Sequence, residues 1–172
     1  MHPLFRLFLD VLLRRRGPED VPPSWALAGV VSVASMAVNA LYVAKAVPDG
    51  YWAVRTLGDF AAGAVFLALI LQLARLSGRF LQSFTAMAGT SALLGLPALL
   101  LLALAQTGWR PLQTVLNLAF TMLLVASLFV TEHILRRTLE CSVWRSIPLT
   151  FANFLLSLGV AQWFDTVFRP GA

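Results

Sequence analysis

One cysteine, two histidines and a single lysine are all that this 172-residue chain holds of three residue types on which much protein chemistry depends. Cys141 has no second cysteine with which to form an intrachain disulfide. With His2 and His133 as the only histidines, an H-E-x-x-H zinc motif is excluded. Charge is scarce as well. Charged residues make up 12% of the chain, about half the share in a typical soluble domain. No polar stretch is long enough to fold as a soluble domain.

Motifs for specific reactions are missing too. There is no G-x-S-x-G elbow and no glycine-rich phosphate loop. Leu57-Gly58-Asp59 lacks the first glycine of the G-x-G-D pattern of intramembrane aspartyl proteases. Acid–base catalysis needs two titratable groups that converge, and the carboxylates here are expected at opposite ends of the molecule. No catalytic, cofactor or metal site is expected, and the reading is of a protein that is not an enzyme.

What the chain does have is apolar length. Hydrophobic residues reach 59% and fall into five stretches, at 24–44, 57–74, 83–106, 113–131 and 146–167. Crossing a hydrocarbon core takes about 20 helical residues, and the stretches match that need. The expected fold is all-α: a polytopic transmembrane bundle of five spans over residues 24–172. Residues 1–23 are expected to form an interfacial amphipathic helix and its linker.

Basic residues set the threading. Arg6, Arg14, Arg15, Arg16, Arg75, Arg79, Arg136, Arg137 and Arg145 fall in the N-terminal segment and every second loop, against Lys45, Arg55, Arg110 and Arg169 in the alternate ones. Nine against four places the N-terminus in the cytoplasm and the C-terminus outside. Trp25, Trp52, Trp109, Trp144 and Trp163 all lie near expected span ends, where indole favours the headgroup region. Arginine outnumbers lysine twelve to one, and with the Ala/Leu richness this points to a bacterial inner membrane. The excess of positive charge is a topology signal; nucleic acid is not an expected partner.

Turn chemistry fits the spacing. Pro48-Asp49-Gly50 and Ser77-Gly78 interrupt the apolar pattern. Pro111 and Pro148 are expected near the first helical positions of the fourth and fifth spans, and Pro97 should kink the third. At the N-terminus, Pro3 opens a helix too short to span. Arg6, Asp10 and Arg14 form its charged stripe, and Phe5, Phe8, Leu9, Leu12 and Leu13 fill the rest. Arg14-Arg15-Arg16 replaces a cleavage site, so a cleavable signal peptide is not expected.

Small and polar residues recur at helical spacing within the spans: Ala28, Ser32, Ser35 and Asn39; Thr85, Gly89, Ser91 and Gly95; Gln113, Asn117 and Thr121; Thr150, Asn153, Ser157 and Ala161. Such stripes suit bundle-facing seams. Asn39, Asp59, Gln113, Asn117 and Asn153 are the candidate intramembrane polar residues. Asp59 is expected at the start of the second span, capping it at the outer interface. Asp165 should reach that same interface, and Glu132 and His133 should reach headgroups or water at the inner one. Candidate cytoplasmic contacts are Arg14, Arg15, Arg16, Arg136, Arg137 and Arg145.

Residues 73–97 (LARLSGRFLQSFTAMAGTSALLGLP) and 132–157 (EHILRRTLECSVWRSIPLTFANFLLS) carry a resemblance. With five spans and a cytoplasmic N-terminus, the chain resembles the Yip-domain family of small five-span membrane proteins, in its bacterial branch. Ser77, Gly78, Arg79, Phe80, Gly89 and Pro97 match the family's basic turn and the Gly/Pro-containing helix after it. The resemblance implies a topology rather than an activity.

Two roles follow as expectations. The first is a non-enzymatic organising or assembly factor that binds lipids, another membrane protein or a second copy of itself. The alternative is a small transporter or channel with a polar path through the bundle. For the topology, green fluorescent protein fused to the N-terminus should fluoresce, and alkaline phosphatase fused to the C-terminus should be active. The opposite pattern would reverse the orientation.

Overall fold

Each apolar stretch becomes one long helix in the computed structural model, which describes residues 3–46, 51–108 and 110–168. The short α1 covers Pro3–Leu12. The long helices are α2 (Trp25–Ala46), α3 (Trp52–Leu73), α4 (Phe80–Ala105), α5 (Arg110–Leu139) and α6 (Val143–Phe168). Two 3-10 turns, Pro18–Asp20 and Ser77–Arg79, join them, and no strand occurs among the described residues. All five long helices are long and apolar enough to cross a membrane.

Polarity is distributed the opposite way from a water-soluble protein. Leu73 and Leu100 are exposed at 85% and 62%, whereas Ser35, Ser83, Thr85 and Ser146 are at most 1% exposed. Large exposed aliphatic faces need an apolar solvent, and hydroxyls turned inward suit close helix packing. Some of the buried hydroxyls bond to their own helices, Thr85 Oγ1 donating to the Leu81 carbonyl and Thr90 Oγ1 to that of Ala86, while Ser83 and Thr138 are hydrogen-bonded across helices at 2.8 Å. Trp25, Trp52 and Trp144 lie in the first turns of their helices and Trp163 lies in the next-to-last turn of α6; all four are exposed. The chain is a multi-pass integral membrane protein. Trp109 and the Pro48-Asp49-Gly50 turn lie outside the described residues.

The helices extend beyond the apolar stretches. α3 begins at Trp52 rather than 57, and α5 continues to Leu139 rather than ending at 131. Charges end a hydropathy window but do not break main-chain hydrogen bonds; the Glu132–Arg136 pair at i,i+4 keeps α5 helical. This overturns two expectations. Asp59 caps nothing: it is seven residues into α3, about 10 Å along a helix rising 1.5 Å per residue. Pro148 is the sixth residue of α6, not its first. The Ser142 carbonyl accepts the first bonds of that helix, from the Arg145 and Ser146 amides, so the start is fixed upstream of the proline. α4 continues through Pro97.

Ser24 starts α2, its Oγ accepting from the Leu27 amide at 3.3 Å. At the arginine-rich end, α1, α3 and α5 stop alike. Arg14, Arg75 and Glu140 adopt positive φ (60°, 59° and 49°). The next amide in each case reaches back to Asp10, Leu71 and Arg136, the closure usually completed by glycine.

The long helices form a closed circuit, α2 to α4 to α5 to α6 to α3 and back to α2, with α3 also approaching α4. Helix α4 has two working faces. Ala86 and Gly89 pack with α1, while Met87, Ser91 and Leu94 line a central cavity. The N-terminal helix therefore commits one side to protein: Leu7, Phe8 and Val11 are buried with Val31, Ala86, Val130 and Ile134, while Phe5 and Leu13 remain exposed.

Gly89 makes that docking possible. A Cβ there would fall 2.3 Å from the Phe8 ring, well inside van der Waals contact. Gly89→Ala should destabilise the fold by about 1 to 3 kcal/mol, the usual range for overpacking. Thermal unfolding in detergent would measure this. Phe8→Ala in the same chain should restore much of the loss if ring and helix are directly coupled.

Candidate functional site

Two polar centres stand out. The first is at the arginine-rich end. Glu132, in the last third of α5, is 7% exposed, and its neighbour His133 is 4% exposed. Neither reaches headgroups or water as the sequence suggested, because α1 and the linker cover them. The Glu132 carboxylate lies 3.4 Å from Arg14 and 3.3 Å from Arg136, and Ser146 Oγ donates to it at 2.8 Å. One side chain thus ties the end of α1, its own helix and the start of α6. His133 Nε2 donates to the Arg16 carbonyl at 2.9 Å, which fixes the ring proton on that nitrogen.

The other rim arginines are paired in the same way. Arg137 lies 3.5 Å from Glu19 and Arg16 lies 3.6 Å from Asp10. Arg79 donates to the Thr138 carbonyl at 3.0 Å and pairs with Glu140. A polar pocket of about 480 Å³ opens between them. Arg79, Arg136 and Arg137 line it; Arg79 and Arg137 are matched by Glu140 and Glu19, while Arg136 shares Glu132 with Arg14. Of the six candidate contact arginines, Arg14, Arg16, Arg136 and Arg137 are ion-paired within the chain, and Arg14, Arg16 and Arg137 are exposed, as are Arg15 and Arg145.

The second centre is the central cavity, about 550 Å³ and lined by all five long helices. Asn39, Asp59 and Asn153 line it. Polar pairs bridge helices here: Asn39 Nδ2 donates to Ser91 Oγ at 3.4 Å, and Ser157 Oγ donates to Asp59 Oδ1 at 2.6 Å. The walls are otherwise aliphatic and aromatic, with Met36, Phe60, Met87, Phe120 and Phe154 among them. The cavity is not sealed, since Asp59 and Ser91 are exposed. Toward the arginine-rich end it meets a solid layer of Leu67, Leu71 and Leu135 with Phe80 and Phe84.

Gln113 and Asn117 are not part of it. With Thr121 they lie on an exposed face of α5. Their i,i+4 stripe is real, but it faces away from the bundle. Periodicity defines a face without saying what the face meets.

At the opposite end, α3 and α6 are clasped. Asp165 accepts from the Tyr51 hydroxyl at 2.6 Å and pairs with Arg55 at 3.0 Å, while the Phe168 ring stacks on Tyr51 at 5.4 Å. No group of His, Cys, Asp and Glu suited to a metal occurs among the described residues.

No family model, no curated protein and no solved structure matches this chain.

Glu132→Gln should destabilise the protein by about 2 kcal/mol. It strands two guanidiniums, but their partial exposure lets water recover part of the roughly 3 to 5 kcal/mol typical of a broken buried pair. The same substitution should speed proteolysis between α1 and α2. Unchanged melting and cleavage would show that the carboxylate does not hold the N-terminal segment.

Proposed function

We propose that this protein is a non-enzymatic membrane protein that holds a lipid or other amphiphile among its five spans and acts as an organising or assembly factor in the bilayer. The central cavity carries the reading. Its volume falls within the range of roughly 300 to 1,000 Å³ usual for small-molecule sites. It also has their composition: apolar walls with a few polar groups to fix orientation. A serine bonded to a carboxylate, with no histidine alongside, supplies an anchor rather than a nucleophile.

Orientation belongs to the same proposal. The N-terminus and arginine-rich rim face the cytoplasm of a bacterial inner membrane, as the nine-to-four distribution of basic residues supports. The resemblance to the Yip-domain family fits a protein of this kind. A lateral partner, either another membrane protein or a second copy, would find Gln113, Asn117 and Thr121 available as hydrogen-bonding groups on the exposed face of α5.

Transport is the second reading, favoured by Asn39, Asp59 and Asn153 converging on one cavity. The apolar layer of Leu67, Leu71 and Leu135 favours a closed site over an open pore. Cysteines placed at 39 and 153, in a Cys141→Ser background, separate the two. Labelling by a membrane-impermeant thiol reagent supports a water-filled path; protection supports a lipid-filled site.

Gly63 provides the direct test. It lines the cavity, and a Cβ built there meets nothing within 4 Å. Gly63→Leu should fill the space without disturbing the fold. Native mass spectrometry after mild extraction should find about one amphiphile retained per wild-type chain, and almost none on the variant at an unchanged melting temperature. An empty wild-type protein, or a variant that keeps its ligand, would overturn the reading.

A further inference from the structure

We propose that the cavity's ligand is an amphiphilic organic cation and that Asp59 is its counter-ion. This rests on the cavity being a binding site and adds the charge class of what it binds.

Among the described residues, Asp59 is the one formally charged residue in the cavity lining, with no Lys, Arg or His beside it there. The other acidic residues within the described helices all have a basic partner. Asp10 has Arg16, Glu132 has Arg14 and Arg136, and Asp165 has Arg55. Asp59 has none among the described residues; its partner is the Ser157 hydroxyl. Arg55, one turn away on α3, is held by Asp165.

Depth makes the missing cation matter. Asp59 lies about 10 Å from the near end of α3 and about 21 Å from the far end, at 1.5 Å per residue. An ionised carboxylate at that level in hydrocarbon is expensive, and membrane proteins meet the cost by turning it toward a cavity and pairing it. The bundle supplies the hydroxyl and withholds the cation, so the positive charge is left for the ligand. An anion would meet a carboxylate and, among the described residues, no basic group in the lining.

The surrounding groups fit the rest of such a molecule. Phe60 follows Asp59 directly, and Phe154 lies one turn before Ser157; both line the cavity with Phe84 and Tyr42. Aromatic faces receive ammonium and phosphonium centres favourably when water is excluded. A small inorganic cation fits less well. Hard cations take six or more oxygen ligands, whereas here one carboxylate and one hydroxyl are paired.

Tetraphenylphosphonium and tetraphenylborate test the sign of the charge, since they share size and shape and differ in charge. Binding would be measured on the full chain in lipid nanodiscs, with empty nanodiscs subtracted. The phosphonium should bind saturably and the borate should not. Asp59→Asn should weaken phosphonium binding roughly tenfold or more, the loss expected for one charge-assisted contact, and Asp59→Glu should restore part of it. The comparison of the two ions needs no variant, so it holds even if Asp59→Asn fails to fold. Equal binding of both ions, or phosphonium binding that resists Asp59→Asn yet is lost in Gly63→Leu, overturns the charge assignment and leaves the cavity reading intact. Absence of saturable phosphonium binding also overturns it. The cavity reading falls with it only if the extracted wild-type protein carries no amphiphile.

Discussion

A carboxylate with almost no access to solvent, Glu132, is the constraint on which the arginine-rich end depends. Taking a charge out of water is costly, and the cost is met only if partners surround it. Those partners come from three separate parts of the chain: Arg14 after α1, Arg136 on α5 and Ser146 at the start of α6. Satisfying one group therefore specifies how three elements meet. The same geometry explains why the rim is crowded with arginine. The positive charges that orient a membrane protein also close its N-terminal segment over the bundle.

The middle of the bundle follows a different rule. Lipid tails give helices no hydrophobic reason to associate, so small residues and hydroxyls must bring them together. α4 shows both uses in one helix. On one side Gly89 lets Phe8 approach the backbone; on the other Met87, Ser91 and Leu94 stay back and leave space. The polar ends are clasped by ion pairs, Arg14 and Arg136 with Glu132 at one, Arg55 with Asp165 at the other. Between the clasps, the spans can remain apart around an open volume without losing their mutual arrangement.

The number and order of the spans were legible in the sequence because hydrophobic length is a local property that needs no partner; the helix ends were not, since α3 and α5 run past the apolar stretches into charged turns. The inward seams of α2, α4 and α6 were legible for the same reason, and Ser35, Thr85, Gly89 and Thr150 are buried. What could not be read depends on distant residues. Glu132 is buried by a segment 118 positions away, and nothing in its own neighbourhood signals that. Asp59 looked like a cap because the apolar stretch starts at 57; the helix begins about two turns before it, at Trp52. The Gln113 and Asn117 stripe has the same period as the true seams, and only the packing of α5 shows that it faces outward. The cavity itself is a property of the gap between helices and has no sequence motif.

The docking of α1 also has a consequence for how the protein is made. α1 leaves the ribosome before the five long helices, yet its binding surface is completed by Ala86, Val130 and Ile134, and the charge partner of the Arg14 that follows it is Glu132. For most of synthesis the first helix has nothing to dock against. Its amphipathic face must wait at the membrane surface, apolar side in lipid, until the fifth helix is in place. A helix that is interfacial by composition and packed by structure would thus be both in turn: a surface anchor while the spans insert, and the last piece closed over the finished bundle.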